Sequence, residues 1–413
     1  MKIAFFNDCY LDLTGGIIGS TGSLKAELER LGHTVYIFST GYPKSKQKRA
    51  ELARKHIYQV PSCKLFFYGL TPISRRPKII ERWVLKHFPE IKDFDVFHIH
   101  YEAGCSIAGI RLGKKLGIPV IQTMHGREDA GETNLIPYGL RTFVAWNLNW
   151  FHSWYLPHRT KVKKDNYLAD TRARRCMWEL MVNHANAADV VITPSEHFRK
   201  KLKHYGVNKP IVAVPNAIDG AIAPEQCIAR TLRPGEPLRI IWHSRVSAEK
   251  RMMVFLHALA LVKGNYRLSV YGGGGDYFRA KRFAKRHHLN AVFYNTTPFK
   301  KVYKELLKSH LDVLISYNFD TFGMTLVEAE SAGVPSLICD PDLKEVVPEG
   351  SFVMSKGADA ESIAKALDDL ISHPERINEM SKILLKHRHE VYQSERIKET
   401  IRIYKEAKKC KNI

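Results

Sequence analysis

Asp95-Val96-Phe97-His98-Ile99-His100, then Gly109-Ile110-Arg111-Leu112-Gly113-Lys114-Lys115-Leu116-Gly117, then Pro119-Val120-Ile121-Gln122-Thr123-Met124-His125 form one stretch in which a short β-rich run gives way to a helical pattern and then to a second β-rich run. Parallel strands need a crossover between them, so this stretch predicts a β-α-β unit of a parallel sheet. The same alternation holds upstream, where Lys2–Phe6 is followed by the helical Ser23–Gly32 and by Thr34–Thr40. It resumes downstream of the turn-rich Arg233-Pro234-Gly235-Glu236-Pro237, with Leu238–Ser244, a helix through Met253–Val262, Tyr266–Gly275, Ala291–Asn295, Val313–Asn318 and Pro335–Asp340. A chain of 413 residues exceeds the roughly 250 to 300 at which single cores stop growing. The prediction is an α/β fold of two doubly wound domains, 1–220 and 221–390. A last helical pattern over 391–413 has no strand after it and is expected to pack back on the N-terminal half.

Lys and Arg number 64 against 42 Asp and Glu, a net charge of +22. So basic a chain calls for an anionic partner, and nucleic acid, an anionic membrane face and a phosphorylated substrate are the candidates. Seven cysteines stand singly with no C-x-x-C pair, which argues against a disulfide framework or a zinc knuckle and makes reducing cytosol the expected compartment. The apolar run before Asp8 is short for a signal peptide, and no stretch reaches the roughly 18 apolar residues of a spanning helix, so any membrane contact is expected to be peripheral. There is no zinc finger and no RNA-recognition strand, and nucleic acid is set aside as a partner.

Open parallel sheets bind ligands at the carboxyl ends of their strands. After the first strand stands Thr14-Gly15-Gly16-Ile17-Ile18-Gly19, and after a strand of the second half Gly272-Gly273-Gly274-Gly275-Asp276. Neither fits G-x-G-x-x-G and there is no P-loop, so nicotinamide enzymes and P-loop NTPases lose ground; each glycine run reads as a tight turn or as a phosphate cradle. Ser244-Arg245 and Lys250 follow the strand Leu238–Ser244, and two cations at a strand end can grip a diphosphate. Asp320-Thr321-Phe322-Gly323-Met324-Thr325-Leu326-Val327-Glu328-Ala329 runs from a strand into a helix. The amides of Gly323 to Thr325 would face an anion, and Glu328 could accept bonds from ribose hydroxyls. His98 and His100, spaced H-x-H, read as packing or hydrogen-bonding residues rather than ligands, and Asp340-Pro341-Asp342 as a turn rather than a metal-binding D-x-D.

Together these pieces resemble the retaining nucleotide-sugar glycosyltransferases of family 4, which have the GT-B fold of two Rossmann-like domains with an interdomain cleft. The resemblance runs through the glycine pair, Leu28-x-x-x-Gly32-His33-x-Val35, Asp95–His100, the histidine-glycine pair His125-Gly126, Ala188–Glu196, Val214–Asp219, the Arg245/Lys250 pair, and the acid Asp320 separated from Glu328 by seven residues. It implies a donor held by the C-terminal half, with Arg245 and Lys250 on the diphosphate, Glu328 on the ribose, and Asp320 with the backbone of Gly323, Met324 and Thr325 on the sugar. His125 falls at the family histidine near sugar and acceptor, and Gly16 in the glycine loop beside the phosphates. It also implies a metal-independent reaction, without cofactor, in which the leaving phosphate helps deprotonate the acceptor. Three positions depart from the pattern: Asp320 stands where Glu is usual, and Ser244 and Ala217 where Gly is usual.

Two segments account for the basic charge. Arg75, Arg76, Lys78 and Trp83 belong to a basic segment whose Ile79, Ile80, Trp83, Val84 and Phe88 form a helical stripe. Trp146, Trp150 and Trp154 recur at every fourth residue and are followed by Arg159, Lys161, Lys163 and Lys164. Either stripe reads as an interfacial membrane helix or as a helix packed on the sheet. Within the family, the opening Lys2–Gly16 and the order of elements look most like bacterial diacylglycerol glucosyltransferases. That likeness implies transfer of glucose from UDP-glucose to 1,2-diacylglycerol on the cytoplasmic face of an anionic membrane. Phosphatidylinositol, a polyprenyl-linked sugar or a soluble polysaccharide are the alternative acceptors.

Overall fold

The computed structural model describes residues 1–8, 16–41, 45–67, 71–74, 76–130, 136, 138–157 and 159–411. Thr14, Gly15 and Arg75 lie outside the described residues, and of Gly16 only the backbone is described. The chain divides into two compact units, one of Met1–Pro215 with Arg396–Ile413 and the other of Asn216–Glu395.

The first unit is built on strands β1 (Lys2–Asn7), β2 (Thr34–Ser39), β3 (Ile57–Gln59), β6 (Val96–Ile99), β7 (Val120–Thr123), β8 (Val190–Thr193) and β9 (Ile211–Ala213). They form a parallel sheet in the order β3-β2-β1-β6-β7-β8-β9, while β4 (Ser62–Phe67) and β5 (Thr71–Ser74) pair as a separate antiparallel hairpin. Strands β6 and β7 are buried at every residue, as expected of strands covered on both faces. The helix Gly104–Leu116 between them lies tight on the sheet because it is glycine there. A Cβ at Gly113 would collide with Val120, and one at Gly109 with Phe6 and Ile99.

The opposite face of this sheet is covered by the last helix, Gln393–Lys411, whose Ile397, Ile403, Tyr404 and Ala407 join Ile3, Phe5 and Val96 in one core cluster. The basic helix Pro77–His87 also belongs to the core. Ile80 and Val84 are fully buried, Phe88 nearly so, and Trp83 packs against the same cluster and against the His87 ring at 4.7 Å. The membrane-facing expectation for Trp83 and its stripe is therefore corrected: the apolar face of this helix is taken up by the sheet. What it leaves to solvent is Arg76, Lys78, Ile79, Arg82 and Lys86.

In the second unit β10 (Leu238–Trp242), β11 (Tyr266–Val270), β12 (Ala291–Phe293), β13 (Leu311–Leu314), β14 (Ser336–Ile338) and β15 (Phe352–Met354) form a second parallel sheet, in the order β12-β11-β10-β13-β14-β15. The strand order reverses between β10 and β13, which pair directly, as it does between β1 and β6 in the first unit. Each reversal opens a crevice beyond the strand ends where the flanking loops diverge.

Candidate active site

At the reversal of the second sheet, the loop after β10 carries His243, Ser244, Arg245 and Lys250, and the loop after β13 carries Ser316, Asp320 and the start of the helix Met324–Ser331. Lys250 Nζ lies 2.6 and 2.8 Å from the two carboxylate oxygens of Asp320, a bidentate pair in which both side chains are largely buried. Ser316 Oγ donates to the same carboxylate. Arg245 is more than half exposed, with Nη2 3.2 Å from Glu249 Oε1. Both cations are thus held by acids, Lys250 largely buried and Arg245 more than half exposed. Gly323 caps the helix Met324–Ser331 at φ +80°, a conformation that suits glycine, and a Cβ there would meet Leu314 Cδ2 at 2.6 Å. This cap lets the helix start close to β13.

Deeper in, His243 bridges two acids. Its Nδ1 stands 3.1 Å from Glu328 Oε2 and its Nε2 3.0 Å from Asp312 Oδ1. Burial by itself would strip the proton from this imidazole, but the charges of Asp312 and Glu328 outweigh it and push the group up to about 10.

The run Gly272–Gly275 resolves as packing. A Cβ at Gly272 would collide with the Ser244 carbonyl and one at Gly274 with that of Val246, while Val246 N–H donates to Gly273 O at 2.9 Å and Asp276 N–H to Val246 O at 3.0 Å. The glycines let the loop after β11 brace the loop that carries Arg245. Asp340 likewise closes a turn, accepting from the amides of Asn318 at 2.6 Å and Asp342 at 3.1 Å. Among the described residues no group of three His, Cys, Asp or Glu side chains is placed to hold a metal ion.

At the reversal of the first sheet, Gly16 opens the helix Gly16–Arg30, and histidines gather at the ends of β6 and β7. His125, half-buried, has its Nε2 3.1 Å from His100 Nδ1. His98 spends both nitrogens inside the unit, on Tyr404 Oη at 2.6 Å and Thr123 Oγ1 at 2.7 Å. Desolvation lowers His125 to about 4 and His98 to about 3, so both are neutral at physiological pH.

The tryptophan helix, Arg141–Tyr155, buries the other side of itself. Ala145 and Leu148 face the helix Arg172–Ala187 through Ala173, Cys176, Met177 and Leu180. Trp146 and Trp150 are 46% exposed and Trp154 65%, with neighbouring rings 6.3 and 4.8 Å apart. They form a continuous aromatic ridge on the surface with Phe143, and Arg159, Lys161, Lys163 and Lys164 follow it, all exposed.

Residues 14–221 match the profile of Glycosyltransferase Family 4, and residues 225–386 that of Glycosyl transferases group 1. The chain belongs to glycosyltransferase family 4. This glycosyltransferase is 24% identical over 392 residues to the alpha-monoglucosyldiacylglycerol synthase of Streptococcus pneumoniae (strain ATCC BAA-255 / R6), a match that covers 91% of the chain and 79% of that protein. Its fold is that of sucrose-phosphate synthase from Thermosynechococcus elongatus (TM-score 0.73, 15% identity, 98% of each chain) and of Anabaena HepE solved with UDP-glucose (TM-score 0.66, 14% identity, 97% of this chain and 99% of that one). The GT-B architecture expected of the sequence is therefore the one found.

Two residues of the cluster at the second reversal escaped the sequence reading, His243 and Asp312. A histidine closing a strand and an aspartate inside one read as isolated core polar residues. Their signal lay in the pairing of β10 with β13, which sets the two strand ends side by side.

Proposed function

We propose that this glycosyltransferase moves a hexose, glucose from UDP-glucose, onto the free hydroxyl of a membrane lipid, 1,2-diacylglycerol, with retention of anomeric configuration. The observation that carries the lipid reading is the exposed ridge of Trp146, Trp150 and Trp154 beside four exposed cations. Indole rings favour the headgroup level of a bilayer, and each nearby Lys or Arg adds about 1 kcal/mol of attraction to an anionic leaflet. The relative in Streptococcus pneumoniae, named for monoglucosyldiacylglycerol synthesis, agrees with that acceptor. No helix among the described residues is long and apolar enough to cross a membrane, and on this reading the enzyme works from the cytoplasmic surface.

For the donor, the crevice of the second unit offers matching chemistry. Arg245 and Lys250 neutralise the diphosphate, Glu328 accepts from the ribose, and Asp320 with the amides at Gly323, Met324 and Thr325 takes the sugar hydroxyls. A diphosphate drawing Lys250 toward itself loosens the Lys250–Asp320 pair and turns the Asp320 carboxylate to the sugar. The bond from the anomeric carbon to the phosphate oxygen breaks, the bond to the acceptor oxygen forms on the same face, and the acceptor proton passes to the departing phosphate. The protein contributes charge and position, with neutral His125 orienting the acceptor hydroxyl and the Gly16 turn placed for the phosphates.

The deciding experiment incubates the enzyme with anionic liposomes, with or without diacylglycerol, and radiolabelled UDP-glucose, UDP-galactose or GDP-mannose, followed by extraction into organic solvent. Label entering the organic phase from UDP-glucose only when diacylglycerol is present is the expected result; label confined to water overturns the lipid acceptor. Because Arg245 and Lys250 supply the positive charge, EDTA is expected to leave turnover intact. A loss restored by magnesium would assign part of that charge to a metal.

A further inference from the structure

Two members of one buried cluster, His243 and Asp312, have no part in the assignments above. His243 follows β10 directly, Asp312 lies within β13, and Glu328 sits in the second turn of the helix Met324–Ser331, so three separate elements meet at one imidazole. The side chains of His243 and Asp312 are 2% and 0% exposed, that of Glu328 16%. Asp312 is anchored a second time by Ser336 Oγ, which donates to its Oδ2 at 3.0 Å from the adjacent strand β14. The cluster is therefore graded: Asp312 is fixed in the sheet, His243 is fixed to Asp312, and Glu328 is the member that reaches the crevice. Both contacts are charge pairs of nearly equal length, 3.0 Å to Asp312 and 3.1 Å to Glu328, so the imidazole ring holds one acid at each of its two nitrogens. One oxygen of Glu328 is thereby tied, and the carboxylate is given a direction that a flexible glutamate on an eight-residue helix lacks.

We propose that His243 is a positioning residue for nucleotide recognition, holding the Glu328 carboxylate in the orientation from which it accepts hydrogen bonds from the donor's ribose hydroxyls. The inference rests on the assignment of Glu328 to the ribose. Histidine suits the task because its two nitrogens point in different directions and, in the charged ring, both donate. Asparagine carries its amide nitrogen as many bonds from Cβ as Nδ1 and can still serve Glu328. Glutamine carries its own at the Nε2 position and can serve only Asp312.

The test is calorimetric titration of whichever of UDP, GDP and ADP binds the wild-type protein, compared with its 2′-deoxy analogue. Wild type is expected to prefer the ribonucleotide by about tenfold, the worth of one charge-assisted hydrogen bond. In His243→Gln that preference should fall to about one, with affinity for the deoxynucleotide held within about twofold; His243→Asn should keep most of the preference. His243→Gln decides; if it fails to fold, loss of the preference in His243→Asn with the deoxynucleotide still bound overturns the proposal. Equal loss of both ligands in His243→Gln, or an unchanged preference, overturns the proposal in favour of a merely structural histidine. Glu328→Ala, which removes the acceptor that a glutamine carbonyl would retain, separates the two levels. If it keeps the preference, the ribose assignment falls and the inference with it; if it abolishes the preference while His243→Gln does not, the inference alone falls. Absence of binding by all three nucleotides overturns the assignment itself.

Discussion

The two strand-order reversals share a topology and differ in their electrostatics. In the second unit the crevice is ionic: Lys250 with Asp320, Arg245 with Glu249, and an imidazole raised to about 10 between Asp312 and Glu328. In the first unit the corresponding position gathers neutral rings: His125, lowered to about 4, bonds to His100, and His98, lowered to about 3, bonds to a threonine and a tyrosine, while the buried Asp8 carboxylate is spent on the Cys105 and Ser106 amides. Repeating a sheet supplies a crevice twice, and the side chains at the strand ends decide whether it takes a charged ligand or an uncharged hydroxyl. The same residue type serves both, since acids beside His243 outweigh its burial whereas at His125 burial prevails.

The contrast breaks first at Lys250. Lys250→Ala is expected to lower kcat by about 10² to 10³, because charge grows on the leaving diphosphate as the reaction proceeds. A rate within threefold of wild type would show that the ionic crevice is not where the donor reacts. In the neutral crevice, His125→Ala should cost about tenfold to a hundredfold in kcat. A profile of kcat in the wild type should show no inflection from His125 between pH 5 and 8; one assigned to it by its absence in the variant would mean that the ring is charged after all.

Replacing Trp146, Trp150 and Trp154 by Ser should lower partition onto anionic liposomes by about tenfold while leaving the melting temperature nearly unchanged, since these rings face outward. A large drop in melting temperature with liposome binding preserved would sink the membrane reading. The smallest effect concerns stability. His98 and His125 hold fewer protons folded than unfolded between their folded values and about 6.5, so their contribution is present above that pH and lost as it falls toward 4. His243 has the opposite sign, contributing fully below about 6.5 and losing its contribution as pH rises through about 10. Calorimetric scans of wild type and of a His98→Gln variant should show the acid-side sensitivity weaken in the variant, and an unchanged pH slope would contradict the buried neutral histidine.

Much of the fold was legible because parallel strands buried on both faces leave unbroken β-branched runs, and the loop residues Arg245, Lys250 and Asp320 and the helical Glu328 follow them at spacings the sequence displays. The stripes were legible as stripes but not by destination. Ile80, Val84 and Phe88 repeat much as Trp146, Trp150 and Trp154 do, yet the first set lies in the core and the second on the surface. Helical spacing tells which residues share a face, and only the packed neighbours tell what that face meets. For the same reason His243 and Tyr404 were silent, since each works through a residue far away in the sequence, Asp312 and Glu328 for one and His98 for the other.

The return of the chain to the first unit at Arg396 carries a consequence for biosynthesis. A ribosome makes β1 before the second unit, but Ile397, Ile403, Tyr404 and Ala407, which complete the cluster around Ile3 and Phe5, emerge only after it. The inserted unit, contiguous from Asn216 to Glu395, is in hand before the older sheet has its final cover. The nascent protein therefore carries an open apolar face throughout synthesis of the second unit, an interval in which chaperones and aggregation compete for it. A premature stop that removes only the tail would leave the younger half whole and the older half unfinished.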